Sequence, residues 1–254
     1  NLLGATPASD REDFKRLWGD GAYCTDELKI YPCQLLEGTE LYEIWKQGAY
    51  QPYSEATLLD LIADIKTDVP RYCRINRIIR DIPSTYVVAG NKNSSLRQDV
   101  QREMARRGTQ CECIRCREVR SKKVTAQRVD LNDLVYTPAH AEEHFLSFDT
   151  PDDHLAGFLR LSLPKDTYKT GMLDLEGAAI IREVHVYGLS LEVGEERTGI
   201  AQHSGFGTRL IEEAEKIAKE KGFQKLAVIA AVGTRAYYAG RGFKMGTRYM
   251  VKSL

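Results

Sequence analysis

The sequence predicts a mixed α/β (α+β) protein in two parts, and three observations carry that prediction. Strand-like and helix-like segments alternate through the first half. Strand-like runs then follow one another from residue 128 with only turns between them. Finally a glycine loop, Gln202-His203-Ser204-Gly205-Phe206-Gly207-Thr208, opens a strongly amphipathic helix that leads into an apolar strand. At 254 residues the chain is long enough to bury two ordinary cores.

In the first half, Asp10 to Trp18 reads as a short helix capped by Asp10, with Phe14, Leu17 and Trp18 on one face. Leu28-Lys29-Ile30-Tyr31-Pro32 reads as a strand ended by proline, and Leu41 to Trp45 as a helical segment. A helix capped by Ser54 carries Leu58, Leu61, Ile62 and Ile65 on one face, and Pro70 follows its end. Tyr72 to Ile79 reads as a strand, and Ser95 to Arg107 as a helix stopped by Gly108. This order argues for parallel α/β structure, with too few strands to close a barrel.

In the second half, Arg128–Tyr136, Glu143–Asp149, Leu155–Leu163 and Ile180–Tyr187 read as strands of an antiparallel meander. A loop from Gly188 to Ile200 precedes the glycine loop. The helix from Phe206 to Lys221 turns Leu210, Ala214, Ile217 and Ala218 inward and stops at Gly222. Leu226 to Ala230 is apolar throughout and reads as a buried strand. A short helix carrying Tyr237 and Tyr238 leads through Gly242-Phe243 into a last strand pair.

Lysine plus arginine and aspartate plus glutamate balance at 36 each. Residues 97–128 nevertheless carry ten basic against four acidic side chains, which points to a local polyanion contact as readily as to a solvated charged face. Arg71, Arg74, Arg77 and Arg80 add a second basic run that would pair with phosphates or with neighbouring acids. No apolar run reaches the roughly 18 residues of a membrane span, and the start carries no secretion signal, so a cytoplasmic protein is expected.

Cys111, Cys113 and Cys116 crowd into one turn of chain, a spacing that suits a tetrahedral zinc ion better than three separate disulfides. The spacing leaves the fourth ligand open among Cys24, Cys33, Cys73 and a histidine. The glycine loop suits an anion. Two glycines before a helix let the backbone approach a diphosphate, and the first-turn N–H groups and the helix dipole both favour negative charge.

The spacing Gln-x-x-Gly-x-Gly, followed by helix, buried strand, tyrosine-bearing helix and Gly-Phe, resembles the GNAT acetyltransferases. Further stretches are Glu183-Val184-His185-Val186-Tyr187-Gly188, Val232 to Tyr238, Tyr249-Met250-Val251-Lys252, Lys29-Ile30-Tyr31-Pro32, Gly38 to Tyr42, Arg80-Asp81-Ile82-Pro83 and Gly108-Thr109-Gln110-Cys111. Together they resemble the family of the Elongator catalytic subunit over nearly the whole chain. That family joins a radical S-adenosylmethionine domain to an acetyltransferase-like domain and carboxymethylates the wobble uridine of tRNA. The radical domain's Cys-x-x-x-Cys-x-x-Cys is absent here, so the resemblance implies a fragment. S-adenosylmethionine and a [4Fe-4S] cluster would then belong to the full-length protein only.

The resemblance implies three regions. Residues 1–108 would be the C-terminal end of a radical SAM-type partial barrel, 109–126 a zinc-binding linker, and 127–254 a GNAT-like acetyl-CoA domain. Acetyl-CoA would lie on Glu183, Val184, His185, Val186, Gln202, Ser204, Gly205, Phe206, Gly207, Thr208 and Tyr237. Tyr237 or Tyr238 would protonate or orient the CoA sulfur, the other packing in the core. Glu183 and His185 share a strand face and would act as base or water-positioning groups. Arg71, Arg74, Arg77, Arg80, Arg115, Arg117, Arg120, Lys122 and Lys123 would bind the tRNA anticodon region. Elongator-type subunits or self-association complete the expected partners. A protein lysine acetyltransferase and a non-catalytic tRNA-binding scaffold are the competing readings.

Overall fold

A computed structural model describes residues 1–19, 23–120, 124, 129–165, 171–187 and 205–254. The chain divides into two compact units, Asn1–Cys116 and Arg117–Leu254. The expected loop from Gly188 to Ile200, and Lys122, Lys123, Gln202 and Ser204, lie outside the described residues.

In the first unit, helix α1 spans Pro7–Gly19. Its start is fixed by reciprocal bonds: the Ser9 N–H donates to Thr6 Oγ1 at 3.1 Å, and the Thr6 N–H donates to Ser9 Oγ at 2.9 Å. The expected cap, Asp10, lies inside the helix and accepts from Tyr53 Oη at 2.9 Å instead. Strands β1 (Glu27–Lys29) and β2 (Gln34–Leu36) precede helices α2 (Glu40–Lys46) and α3 (Glu55–Ile65). Ser54 caps α3 as expected, its Oγ accepting from the Thr57 N–H at 3.1 Å, and Leu58, Leu61, Ile62 and Ile65 are buried. Strands β3 (Arg74–Arg77) and β4 (Val87–Gly90) and helix α4 (Leu96–Arg106) follow, and the single turn α5 spans Ile114–Arg117.

Among the described residues of this unit, the expectation of parallel structure holds for one of the two strand pairs. β1 pairs parallel with β3, but β2 pairs antiparallel with β4. Both strands of the second pair are too short to show alternation in the sequence. The expected strand Tyr72–Ile79 contracts to the four residues of β3.

The second unit is built on a seven-stranded sheet. Strands β5 (Asp130–Tyr136), β6 (Ala141–Asp149), β7 (Leu155–Pro164) and β8 (Ala178–Val186) form the expected antiparallel meander. Helix α6 (Phe206–Glu220) then crosses to β9 (Lys225–Val228), which runs parallel to β8. The short helix α7 (Arg235–Ala239) and strands β10 (Lys244–Met245) and β11 (Met250–Ser253) complete the fold. The apolar face of α6, Phe206, Leu210, Ile211, Ala214, Ile217 and Ala218, is buried in one core with Leu146, Phe148, Leu159, Leu161 and Ile181. The apolar run at β9 is not buried to its end. Ile229 is 61% exposed because the strand stops at Val228.

At the edge of this sheet His144 is buried between two carboxylates. Its Nδ1 lies 2.8 Å from Asp133 Oδ2 on β5, and its Nε2 lies 3.1 Å from Glu142 Oε1, which also accepts from Lys221 at the end of α6. Burial pulls the imidazole pKa down, but Asp133 and then Glu142 outweigh it, so the group titrates above its ordinary 6.5. A raised folded-state pKa contributes stability below the unfolded value, and that stability is lost as pH rises through the folded value. We therefore expect His144→Gln to lower the melting temperature more at about pH 5.5 than at about pH 8.5, measured against the wild-type chain at each pH.

Candidate functional site

The site begins where two strands part. β8 pairs with β9 from Ala178 to Ile181, ending at the Ile181–Val228 register pair, while β8 itself runs on to Val186. Val184 and Val186 therefore line an open cleft of about 560 Å³ rather than a continuous sheet.

The N-terminus of α6 closes one side of the cleft. Gly205 occupies its cap position with φ of 72°, in the left-handed region that suits glycine. It has no side chain to occupy the first-turn amides, and no acidic residue stands in that turn. Phe206 is fully buried against Phe148, with ring centroids 4.7 Å apart, so it offers the cleft only its backbone. Gly207 is required by close approach. A methyl group there would stand 2.5 Å from Tyr237 Oη. Thr208, Thr234, Tyr237, Tyr238 and Arg241 complete the lining.

The two tyrosines separate cleanly. Tyr238 is buried, makes an edge contact with Phe243 at 5.7 Å, and has its phenol pKa raised by that burial. Tyr237 is 38% exposed and sets its hydroxyl against Gly207. The tyrosine in position to meet a ligand is Tyr237.

Glu183 and His185 share the expected face of β8, opposite Arg160 and Phe158 of β7. Their surroundings differ. Glu183 accepts from Arg160 Nε at 2.9 Å, and Arg160 is 1% exposed with its guanidinium over the rings of Phe145 and Phe158. Glu183 is thus the counter-charge of a buried cation. His185 is exposed and stacks on Phe158 and Tyr187, with centroids 6.0 and 4.3 Å away.

The cysteine cluster lies in the first unit. The Sγ atoms of Cys111, Cys113 and Cys116 all fall within 4.8 Å of one another. The Ile114 N–H donates to the Cys73 carbonyl at 3.0 Å, and the Cys116 N–H to the Cys113 carbonyl at 2.9 Å, which folds the turn. The Cys111 and Cys116 side chains, and then the Ile75 and Cys116 backbone, pull the Cys113 thiol pKa below its ordinary value against the effect of burial. Lys66 is fully buried, and its Nζ has no hydrogen-bond partner among the described residues. A buried ammonium is tolerated only near compensating negative charge, and Lys66 and half-buried Arg97 both act electrostatically on these sulfurs. Three converging sulfurs with cationic neighbours fit a thiolate-bound divalent metal.

The expected polyanion-binding arginines do not form one row. Arg74 and Arg77 stand three apart on a strand and so on opposite faces. Arg77 and Arg80 are exposed, with Arg77 paired to Asp81 at 2.7 Å, while Arg71, Arg74 and Arg115 are half-buried. In the second unit Arg120 is exposed. Arg117 is 4% exposed and bound to Asp149 and Asp153, so its role is internal and it is withdrawn from the nucleic-acid set. Sequence reasoning missed Arg160, Lys66 and Arg241. Nothing local in a sequence marks Arg160 or Lys66 as buried, or Arg241 as a contact of a residue 33 positions away.

A sheet splayed beside a helix N-terminus, with a phenol at the mouth of the cleft, defines an acyl-CoA-binding type of α/β fold. The sequence matches the acetyltransferase (GNAT) family over residues 114–243 and the radical SAM C-terminal domain over residues 25–106. The chain belongs to the acetyltransferase (GNAT) family. It is 40% identical over 258 residues to the tRNA uridine(34) acetyltransferase of Dehalococcoides mccartyi, covering 100% of this chain and 56% of the relative. It is 41% identical over 252 residues to Elongator complex protein 3 of Homo sapiens, covering 96% of this chain and 46% of the relative. The solved structure of the archaeal Methanocaldococcus infernus Elp3 with an N-terminal deletion matches with a TM-score of 0.89 and 36% identity, covering 100% of this chain and 61% of that one. The resemblance to the Elongator catalytic subunit therefore extends across the chain, which spans about half the length of these curated relatives.

The contrast between Glu183 and His185 has a measurable consequence. Glu183→Gln removes one carboxylate contact of the buried Arg160 and should cost about 1–2 kcal/mol of stability in a denaturant melt. His185→Gln removes an exposed ring and should cost less than about 0.5 kcal/mol.

Proposed function

We propose that this chain carries the acetyl-CoA-binding, acyl-transferring part of an enzyme that builds a carboxymethyl group at carbon 5 of the wobble uridine of tRNA. The observation that carries this reading is the convergence of strand splay, helix N-terminus and Tyr237 in one cleft. The relatives named tRNA uridine(34) acetyltransferase and Elongator complex protein 3 support the substrate.

Acetyl-CoA supplies an activated acyl group. The amides of Gly205, Phe206, Gly207 and Thr208 hold its pyrophosphate, and Gln202 and Ser204 contribute to the same binding. The backbone of Glu183 to Val186 binds the pantetheine arm as an added strand. Tyr237 Oη offers a proton on the cleft side of Gly207. Glu183 and His185 alternate with the cleft-lining Val184 and Val186 and so stand on the other face of β8, where exposed His185 is the better candidate to position water or substrate and Glu183 is tied to Arg160.

Cys111, Cys113 and Cys116 hold a zinc ion in the stretch 109–126, which in sequence follows a radical SAM-type region, 1–108, and precedes the acetyltransferase region, 127–254. Arg71, Arg74, Arg77, Arg80, Arg115, Arg120, Lys122 and Lys123 contact the tRNA backbone. A cytoplasmic setting keeps the thiols reduced, and among the described residues no helix is long and apolar enough to cross a membrane. We assign no radical step to this chain, since Cys-x-x-x-Cys-x-x-Cys does not occur in it.

The test is acetyl-CoA turnover, followed as CoA release, with and without a tRNA anticodon stem-loop at two salt concentrations. Stimulation that fades with salt is expected, and indifference to tRNA with transfer to a lysine peptide instead would replace this reading. Gly207→Ala places a methyl group against Tyr237 Oη and should weaken acetyl-CoA binding by about tenfold or more in calorimetry. Cys113→Ser should abolish stoichiometric zinc in elemental analysis while leaving acetyl-CoA binding within about threefold of the wild type.

A further inference from the structure

We propose that Arg241, a residue outside the glycine-loop and tyrosine motifs, positions Tyr237 in the cleft by stapling the turn after α7 to the first turn of α6. The inference rests on the reading of this cleft as the acyl-donor site.

Three contacts define the staple. Arg241 Nη1 donates to the Tyr237 carbonyl at 2.7 Å, and Nη2 donates to Thr208 Oγ1 at 2.6 Å. The guanidinium carbon also lies 3.5 Å from the centre of the Tyr237 ring. One planar cation therefore fixes the backbone of Tyr237, the face of its ring and the helix turn that faces it. The phenol oxygen reaches into the space that a side chain at Gly207 would fill. Helix α7 has five residues and cannot hold such an orientation by itself.

The fourth observation separates positioning from packing. Arg241 Nε is buried with no hydrogen-bond partner among the described residues. An unsatisfied buried N–H is unfavourable, and an unbranched apolar side chain of similar length would fill the same space without it. A residue kept only for packing would be better replaced by methionine. The arginine is explained by what its fork and charge do for Tyr237 and Thr208 together.

The experiment is a double-mutant cycle in the full chain with Arg241→Met, Tyr237→Phe and the pair, plus Arg241→Lys. Thermal melting, acetyl-CoA affinity and the rate of tRNA-stimulated CoA release are measured for each. Arg241→Met should melt within about 2 °C of the wild type, or above it. Its rate should fall about tenfold or more, with KM for acetyl-CoA moving less than about threefold. In the Tyr237→Phe background the same change should alter the rate by less than about twofold. Arg241→Lys should recover part of the rate, keeping the charge over the ring but not the two-way fork.

An undiminished rate in Arg241→Met overturns the proposal. So do losses that multiply in the double variant, or a loss that tracks a fall in melting temperature. A wild-type chain that does not bind acetyl-CoA, or a Tyr237→Phe chain indistinguishable from wild type, overturns the assignment of the cleft, and the proposal with it.

Discussion

Strands β8 and β9 stop pairing after Ile181 and Val228, and the second unit is arranged around that parting. Backbone amides and carbonyls in a sheet must find partners, so a strand that loses its neighbour midway invites something extended to replace it. The gap persists because α6 is wedged against the sheet. Its Leu210, Ala214 and Ala218 are fully buried in the same core as Leu159, Leu161 and Ile181. The same wedge aims the first turn of α6 at the mouth of the gap. An exposed helix N-terminus and an unpaired strand end thus come together in one packing arrangement, and Tyr237 lines the cleft they share.

Around this cleft, positive charge is used in two ways. Arg160 and Arg117 are buried and matched to Glu183 and Asp149, which fixes the register and the entry of the chain into the sheet. Such pairs contribute little net stability relative to apolar residues, yet losing one partner is costly, so they act as constraints on geometry more than as a source of stability. Arg241 lies between these cases. It belongs to the cleft lining, and its contacts are with an aromatic face, a hydroxyl and a carbonyl rather than a carboxylate.

The cysteine turn shows a related balance in the first unit. Three sulfurs brought within 4.8 Å of one another would repel if all were thiolates. A divalent metal resolves that difficulty, and the buried Lys66 fits a site whose sulfurs carry net negative charge.

Periodicity alone determined much of this protein. The meander β5–β8, the inward face of α6, the Ser54 cap and the glycine stop after α4 were legible because each is a local consequence of side-chain spacing or backbone freedom. The cysteine turn was legible because its three sulfurs are contiguous in the chain. The antiparallel β2–β4 pair, the exposure of Ile229, the different burial of Tyr237 and Tyr238, and the burial of Arg117, Arg160 and Lys66 were not. Each depends on partners distant in sequence. Arg117 meets Asp149 across 32 residues and Arg241 meets Thr208 across 33, and only tertiary packing decides which charges face water. The sequence alone settles which groups are present and which way an isolated helix or strand would turn them. Desolvation and long-range pairing, properties of the packed structure, settle what each group is free to do.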